Sequence, residues 1–156
     1  MEIMGLQKTS MIDMPGCISC VIFCQGCNRH CAYCHNPESI PKTAGTIKWK
    51  GVKEFLTKRK NILDAVIFSG GEPTLQKDLL NKISYCKKLG YKIGLHTNGE
   101  GSMFQQVASY CDYILLSHPN DKKYEIAKQA KKLQFSKVIK NEKNEWYNKI
   151  TDHFYY

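Results

Sequence analysis

Ala65-Val66-Ile67-Phe68-Ser69-Gly70-Gly71, the segment Asp78 to Gly90, and Tyr91-Lys92-Ile93-Gly94-Leu95-His96 together decide the fold. Four apolar residues closed by Ser-Gly-Gly read as a short buried strand. Asp78 to Leu89 places Leu79, Leu80, Ile83 and Cys86 on one helical stripe, and Gly90 stops the helix. A second apolar run follows at once. Strand, helix, strand in this order is a crossover unit, whose two strands lie parallel and whose connection is right-handed.

The same alternation extends in both directions. Ile18 to Cys24 reads as a buried strand, followed by a long loop rich in Cys, Asn and Pro. Lys50 to Lys60 reads as a helix with Val52, Phe55 and Leu56 on one face. Met103 to Tyr110 is a short helix, Tyr113 to Leu116 a strand, Tyr124 to Leu133 a helix, and Lys137-Val138-Ile139 a fifth strand. Asn141 to Tyr156 is polar and aromatic and receives no element. Five units are too few to close an eight-stranded barrel. The expectation is an α/β fold, a partial, open barrel of about five parallel strands with outer helices, with residues 1–156 in a single domain.

The chain has 156 residues, 42% of them hydrophobic, so it can bury a real core and is not a disordered protein. No run approaches the roughly 20 apolar residues that span a bilayer. Met1 to Ser10 carries Glu2 and Lys8 within it, which argues against a signal peptide. The expectation is a soluble, cytoplasmic protein with reduced thiols and no membrane partner. Lys and Arg number 23 against 14 Asp and Glu, a net charge of +9. Such a surplus suits an acidic partner, but the lysines are spread along the chain, as on an ordinary solvated surface.

Six of the eight cysteines fall between Cys17 and Cys34. The spacing C-x3-C-x2-C occurs twice, as Cys20, Cys24, Cys27 and as Cys27, Cys31, Cys34. Cys20 and Cys24 both lie in the first strand, with Cα atoms roughly 13 Å apart at strand rise. That is too far for one compact cluster. Cys27 to Cys34 lies in the loop, with Gly26 before it and Pro37 after it, and can fold its thiolates inward. The metal ligands are therefore Cys27, Cys31 and Cys34. Cys20 and Cys24 are core residues, Cys86 and Cys111 are small buried residues, and Cys17 has no assigned role. Three thiolates suit an iron–sulfur cluster with one open iron. Zinc, with His30 or His35 as fourth ligand, and redox or structural cysteines stay open on spacing alone.

Cys27-Asn28-Arg29-His30-Cys31-Ala32-Tyr33-Cys34, with its aromatic residue just before the third cysteine, resembles the signature of the radical S-adenosylmethionine superfamily. Gly5 to Ser10, Ile12-Asp13, Pro15-Gly16, Gln25-Gly26-Cys27 and Cys34 to Glu38 resemble the glycyl-radical activating enzymes. Within that group the similarity is greatest to activators of anaerobic ribonucleoside-triphosphate reductase. It covers roughly the first 100 residues and fades after about residue 117, so that 118–156 match poorly; the cluster loop is 25–38.

The resemblance implies a [4Fe-4S] cluster on Cys27, Cys31 and Cys34, with S-adenosylmethionine bound to the fourth iron. One electron cleaves the sulfonium, and the resulting 5′-deoxyadenosyl radical takes a hydrogen atom from a glycine of the partner enzyme, here the large subunit of anaerobic ribonucleotide reductase. It further implies cofactor contacts at Tyr33, Cys34 and His35, at Ser69, Gly70, Gly71 and Glu72, and at Thr97 and Asn98. No catalytic side chain is expected beyond the cluster and S-adenosylmethionine. An acidic electron donor such as flavodoxin would dock on the lysine-rich surface, and no nucleic acid is expected. A pyruvate formate-lyase activase or a 7-carboxy-7-deazaguanine synthase-like enzyme is the nearby alternative, and a basic zinc module binding nucleic acid the distant one. Relatives often carry an acidic residue where His96 stands, and Ser117-His118-Pro119 lacks the Asp-x-Lys pattern of some activases. His96 and His118 by themselves read as surface or satisfied histidines.

Overall fold

The computed structural model describes residues 1–135 in full and, beyond them, the backbone of Val138–Lys140 and Trp146–Asn148. Its main sheet has six strands in sequence order. These are β1 (Ile3–Ser10), β2 (Ser19–Cys24), β3 (Ala65–Gly70), β4 (Lys92–Thr97), β5 (Tyr113–Leu116) and β6 (Lys132–Phe135). The five strands β2 to β6 run parallel, and β1 lies antiparallel to β2 at the edge. The helices are α1 (Trp49–Lys58), α2 (Leu79–Lys88), α3 (Phe104–Val107) and α4 (Asp121–Ala127). The fold matches the expected partial, open α/β barrel.

Period-two alternation distributes the strands between two apolar layers. Ile22, Val66, Phe68, Ile93, Leu95, Ile114 and Leu116 pack with Val52 and Leu56 of α1, Leu79 and Ile83 of α2, and Phe104 and Val107 of α3. Val21, Ala65, Ile67 and Tyr113 point to the other face, where Met14 and Cys17 from the β1–β2 connection cover them. Both faces are buried, which is why these strands read as unbroken apolar runs. Each fully buried Ile, Leu or Phe contributes about 1.5–3 kcal/mol.

Three readings change. The edge strand β1 was not expected, because its eight residues carry only two buried positions and no clean alternation. The helix expected over Tyr124–Leu133 is shorter, ending at Ala127, and Leu133 lies in β6. Ala127 and Ala130 already complete the core contact, so the chain can turn and enter the sheet. The fifth parallel strand is therefore Lys132–Phe135 and not Lys137–Ile139. Lys137 lies outside the described residues; Val138–Lys140 (β7) pairs antiparallel with Trp146–Asn148 (β8) in a separate sheet.

Register places the site. Cys24 lies beside Gly70, Phe68 beside Leu95, and Thr97 beside Leu116. The carboxyl ends of β2 to β5 thus share one edge, and the loops that leave them converge there. In open α/β sheets ligands bind outside this edge.

Candidate active site

The loop that follows β2 is pinched at its neck. Gly26 N–H donates to Ser39 O at 2.7 Å and Cys27 N–H to Ile40 O at 3.0 Å. The Gln25 amide adds bonds to Glu38 O and Pro41 O. This neck stands on the end of β3: Gly71 N–H donates to Cys24 O at 2.9 Å and Glu72 N–H to Gly26 O at 2.8 Å. The two glycines are required by this approach of chain to chain. Gly70 has φ +103°, and a Cβ there would lie 2.3 Å from Cys24 N. A Cβ on Gly71 would lie 2.2 Å from Gly26 O. The Gly-Gly pair holds the cysteine loop against β3, a role in addition to the expected approach of backbone to a ligand.

Glu72 is 1% exposed and acts as the hub between β3 and β4. Its Oε1 accepts from Thr74 N at 3.1 Å and from the hydroxyls of Thr74 and Thr97, each at 2.5 Å; its Oε2 accepts from Asn98 N at 2.7 Å. Burial pushes its carboxyl above the usual range, against the opposing pull of those donors. Thr97 Oγ1 also accepts from Gly99 N, and the Asn98 side chain bridges Asn28 Oδ1 and Glu100 N. These three side chains shape the floor of the site through bonds within the protein.

The cysteines divide as the strand geometry requires. Cys20 and Cys24 have no exposed surface. Burial pushes the Cys20 thiol up to about 12 and the Cys24 thiol higher still. Cys17, Cys86 and Cys111 are buried as well. Cys27, Cys31 and Cys34 are the partly exposed ones, and all three line one cleft. Cys27 Sγ accepts the Arg29 N–H at 3.4 Å, although burial holds its thiol above the usual value. Cys31 Sγ lies 3.3 Å from His118 Nε2, and the Tyr33 ring stacks on the His118 ring at 6.0 Å. Among the described residues no three His, Cys, Asp or Glu side chains already converge on a single ion. The donor set nevertheless fits an iron–sulfur cluster: three accessible thiols, on one loop, facing one cleft.

Every residue expected at the site lines that cleft: Cys27, Tyr33, Cys34 and His35 with Cys31 from the loop, Ser69 to Glu72 from the end of β3 and the turn after it, and Thr97 and Asn98 from the end of β4 and the residue after it. Arg29, His96, Ser117 and His118 line it too and were not expected. Ser117 and His118 follow β5, so their place was readable from topology, since every carboxyl-end loop reaches this edge. His96 donates from Nε2 to Asp13 O at 3.0 Å, and burial depresses its pKa against the opposing pull of Asp13. That contact joins β4 to the β1–β2 connection and has no local sequence signal.

The family model of the radical SAM superfamily matches residues 21–118. A protein of Methanocaldococcus jannaschii named as a glycyl-radical enzyme activating enzyme is 39% identical over 97 residues, 61% of this chain and 39% of that protein. The pyruvate formate-lyase-activating enzyme of Clostridium pasteurianum is 31% identical over 154 residues, 92% of this chain and 63% of that protein. The chain thus spans less than two thirds of the length of either relative. Among solved structures, QueE from Escherichia coli superposes with a TM-score of 0.51 at 17% identity, covering 82% of this chain and 73% of that one. At that identity the likeness concerns the fold alone.

Proposed function

This chain belongs to the radical SAM superfamily, and we propose that it is a glycyl-radical activating enzyme working on anaerobic ribonucleoside-triphosphate reductase. Membership implies an iron–sulfur cluster and S-adenosylmethionine as cofactors. The observation that carries the reading is the convergence of Cys27, Cys31 and Cys34 with the ends of β3, β4 and β5 on one cleft. In this reading residues 1–156 act as one domain, and the three thiolates hold a [4Fe-4S] cluster. When bound, the cluster supplies the electron that cleaves the sulfonium of S-adenosylmethionine.

The chain's own residues bind and orient. The backbone of Ser69, Gly70 and Gly71 offers polar groups to the amino end of the cofactor. Glu72 lines the same end of the cleft and holds Thr97 and Asn98 in place. Tyr33 and His35 flank the nucleoside. The half-exposed Tyr33 leaves the mouth open to a protein loop bearing the target glycine. A flavodoxin-like donor docks on the lysine surface, in a cytoplasm that keeps the thiols reduced. No described helix is long and apolar enough to cross a membrane. The similarity to a pyruvate formate-lyase activase over 154 residues favours pyruvate formate-lyase as the alternative target. The family match leaves no basis for a zinc module that binds nucleic acid.

The test uses anaerobically reconstituted protein, reduced and given S-adenosylmethionine. About four irons per chain, a changed electron paramagnetic resonance spectrum and release of 5′-deoxyadenosine are expected. A glycyl-radical signal on the reductase, and none on pyruvate formate-lyase, decides the target. Zinc in place of iron, with no cleavage, would overturn the reading.

A further inference from the structure

The cysteine loop is pinned at its neck, but its middle has one backbone bond of its own, Cys34 N to Cys31 O. What ties that middle down is a charged network with Glu100 at its centre. Glu100 leaves the end of β4, and its N–H is held by Asn98 Oδ1 at 2.9 Å. Its Oε2 accepts from Arg29 Nε at 3.0 Å and from Asn28 Nδ2 at 3.4 Å, and its Oε1 accepts from Arg29 Nη2 in a short bond. The guanidinium therefore grips the carboxylate with two parallel bonds, the geometry that fixes position as well as charge. On its other side Oε1 accepts from Lys123 Nζ at 2.7 Å.

Lys123 is 7% exposed and spends its second bond on His118 O at 2.9 Å. His118 has φ +52°, in the left-handed region that non-glycine residues seldom enter. Its ring then reaches Cys31 Sγ and Tyr33 OH. Two routes therefore run from Glu100 to the loop. One passes through Asn28 and Arg29, between Cys27 and Cys31. The other passes through Lys123 and His118 to Cys31 itself.

We propose that Glu100 is a positioning residue, clamping the loop segment between Cys27 and Cys31 to the ends of β4 and β5. The inference rests on the reading of Cys27, Cys31 and Cys34 as cluster ligands. A loop whose middle is already fixed loses less chain entropy when its thiolates gather round a cluster. Two cations on one carboxylate keep Glu100 ionised, with its carboxyl lowered to about 2, chiefly by the Arg29 hydrogen bonds.

The test compares the parent with Glu100→Gln, Arg29→Gln and the double variant. In cluster-free, reduced protein, alkylation by iodoacetamide is followed at each cysteine by mass spectrometry. Glu100→Gln should alkylate Cys27 and Cys31 about fivefold faster, the order expected when the ion pairs to Arg29 and Lys123 are both lost. The buried Cys20 and Cys86 should keep the parental rate, which a general loss of structure would not allow. Arg29→Gln, which leaves Lys123 and His118 tied to Glu100, should give a smaller increase, and the double variant no more than Glu100→Gln alone. In reconstituted protein the variants should lose iron to a chelator faster by a similar factor.

Unchanged rates at Cys27 and Cys31, equal acceleration at Cys20 and Cys86, or additive effects of the two substitutions would each overturn the clamp. Iron loading of the parent separately decides the cluster reading, and the alkylation rates decide the clamp whether or not iron is held.

Discussion

Gly71→Ala tests the structural core of the site most directly. A Cβ at Gly71 would lie 2.2 Å from Gly26 O, 2.7 Å from Gly26 C and 2.9 Å from Ser39 O. All three are backbone atoms of the loop neck, so no rotamer can relieve the clash. Reaching an ordinary contact requires the neck to move by about 1 Å. That displacement takes the 2.8 Å bond from Glu72 N to Gly26 O beyond hydrogen-bonding range. Overpacking costs about 1–3 kcal/mol and an orphaned buried donor about the same. The expected loss is about 3–4 kcal/mol, a large part of the roughly 5–15 kcal/mol that holds a domain together. The melting temperature should fall by about 10 °C. The assay is urea unfolding of cluster-free protein under reducing conditions, followed by iron per chain after reconstitution. Gly51→Ala is the comparator. Gly51 lies in α1 with nothing within 4 Å of a built Cβ, so it should gain up to about 1 kcal/mol. A Gly71→Ala protein less than about 1 kcal/mol weaker, with full iron, would refute the packing argument. The glycine would then serve ligand approach alone.

Cys31→Ala should abolish iron retention with little change in the urea midpoint, because its thiol is only partly buried. Cys20→Ala should keep iron and cost about 1–2 kcal/mol as a small core cavity; the reverse pattern would mean the other triplet holds the cluster. Glu72→Ala leaves Thr74 N and Asn98 N without their acceptor. Set against the relief of burying a carboxylate, a net loss of about 3 kcal/mol is expected by chemical denaturation. Glu100 sits below the ordinary carboxylate value, with a carboxyl at about 2. Its contribution to stability is full above the unfolded value of about 4.3 and is lost as pH falls through the folded one. A Glu100→Gln protein should therefore show a shallower fall in stability between about pH 4.3 and 2, and identical acid-unfolding curves would remove the ion pair from the account.

Much of this protein was determined by the sequence alone. Apolar runs at Ala65–Phe68 and Tyr113–Leu116, a helical stripe at Leu79, Ile83 and Cys86, and turn residues between them specify parallel crossovers, because such signals are local in the chain. The choice of Cys27, Cys31 and Cys34 over Cys20 and Cys24 also follows from local geometry, since strand residues four apart cannot share a small cluster. The edge strand β1 and the short strand β6 were not legible. β1 carries no clean period, and β6 alternates over only four residues, too short a run to stand out; each is held by pairing with a strand that already exists. The contacts of His96 with Asp13, of Glu100 with Arg29 and Lys123, and of His118 with Cys31 join residues between 23 and 87 positions apart. Only the register that brings the ends of β2 to β5 to one edge places these side chains within bonding distance. Hydrogen bonds and ion pairs act over a few ångströms, and separation along the chain does not predict separation in space until the sheet has formed.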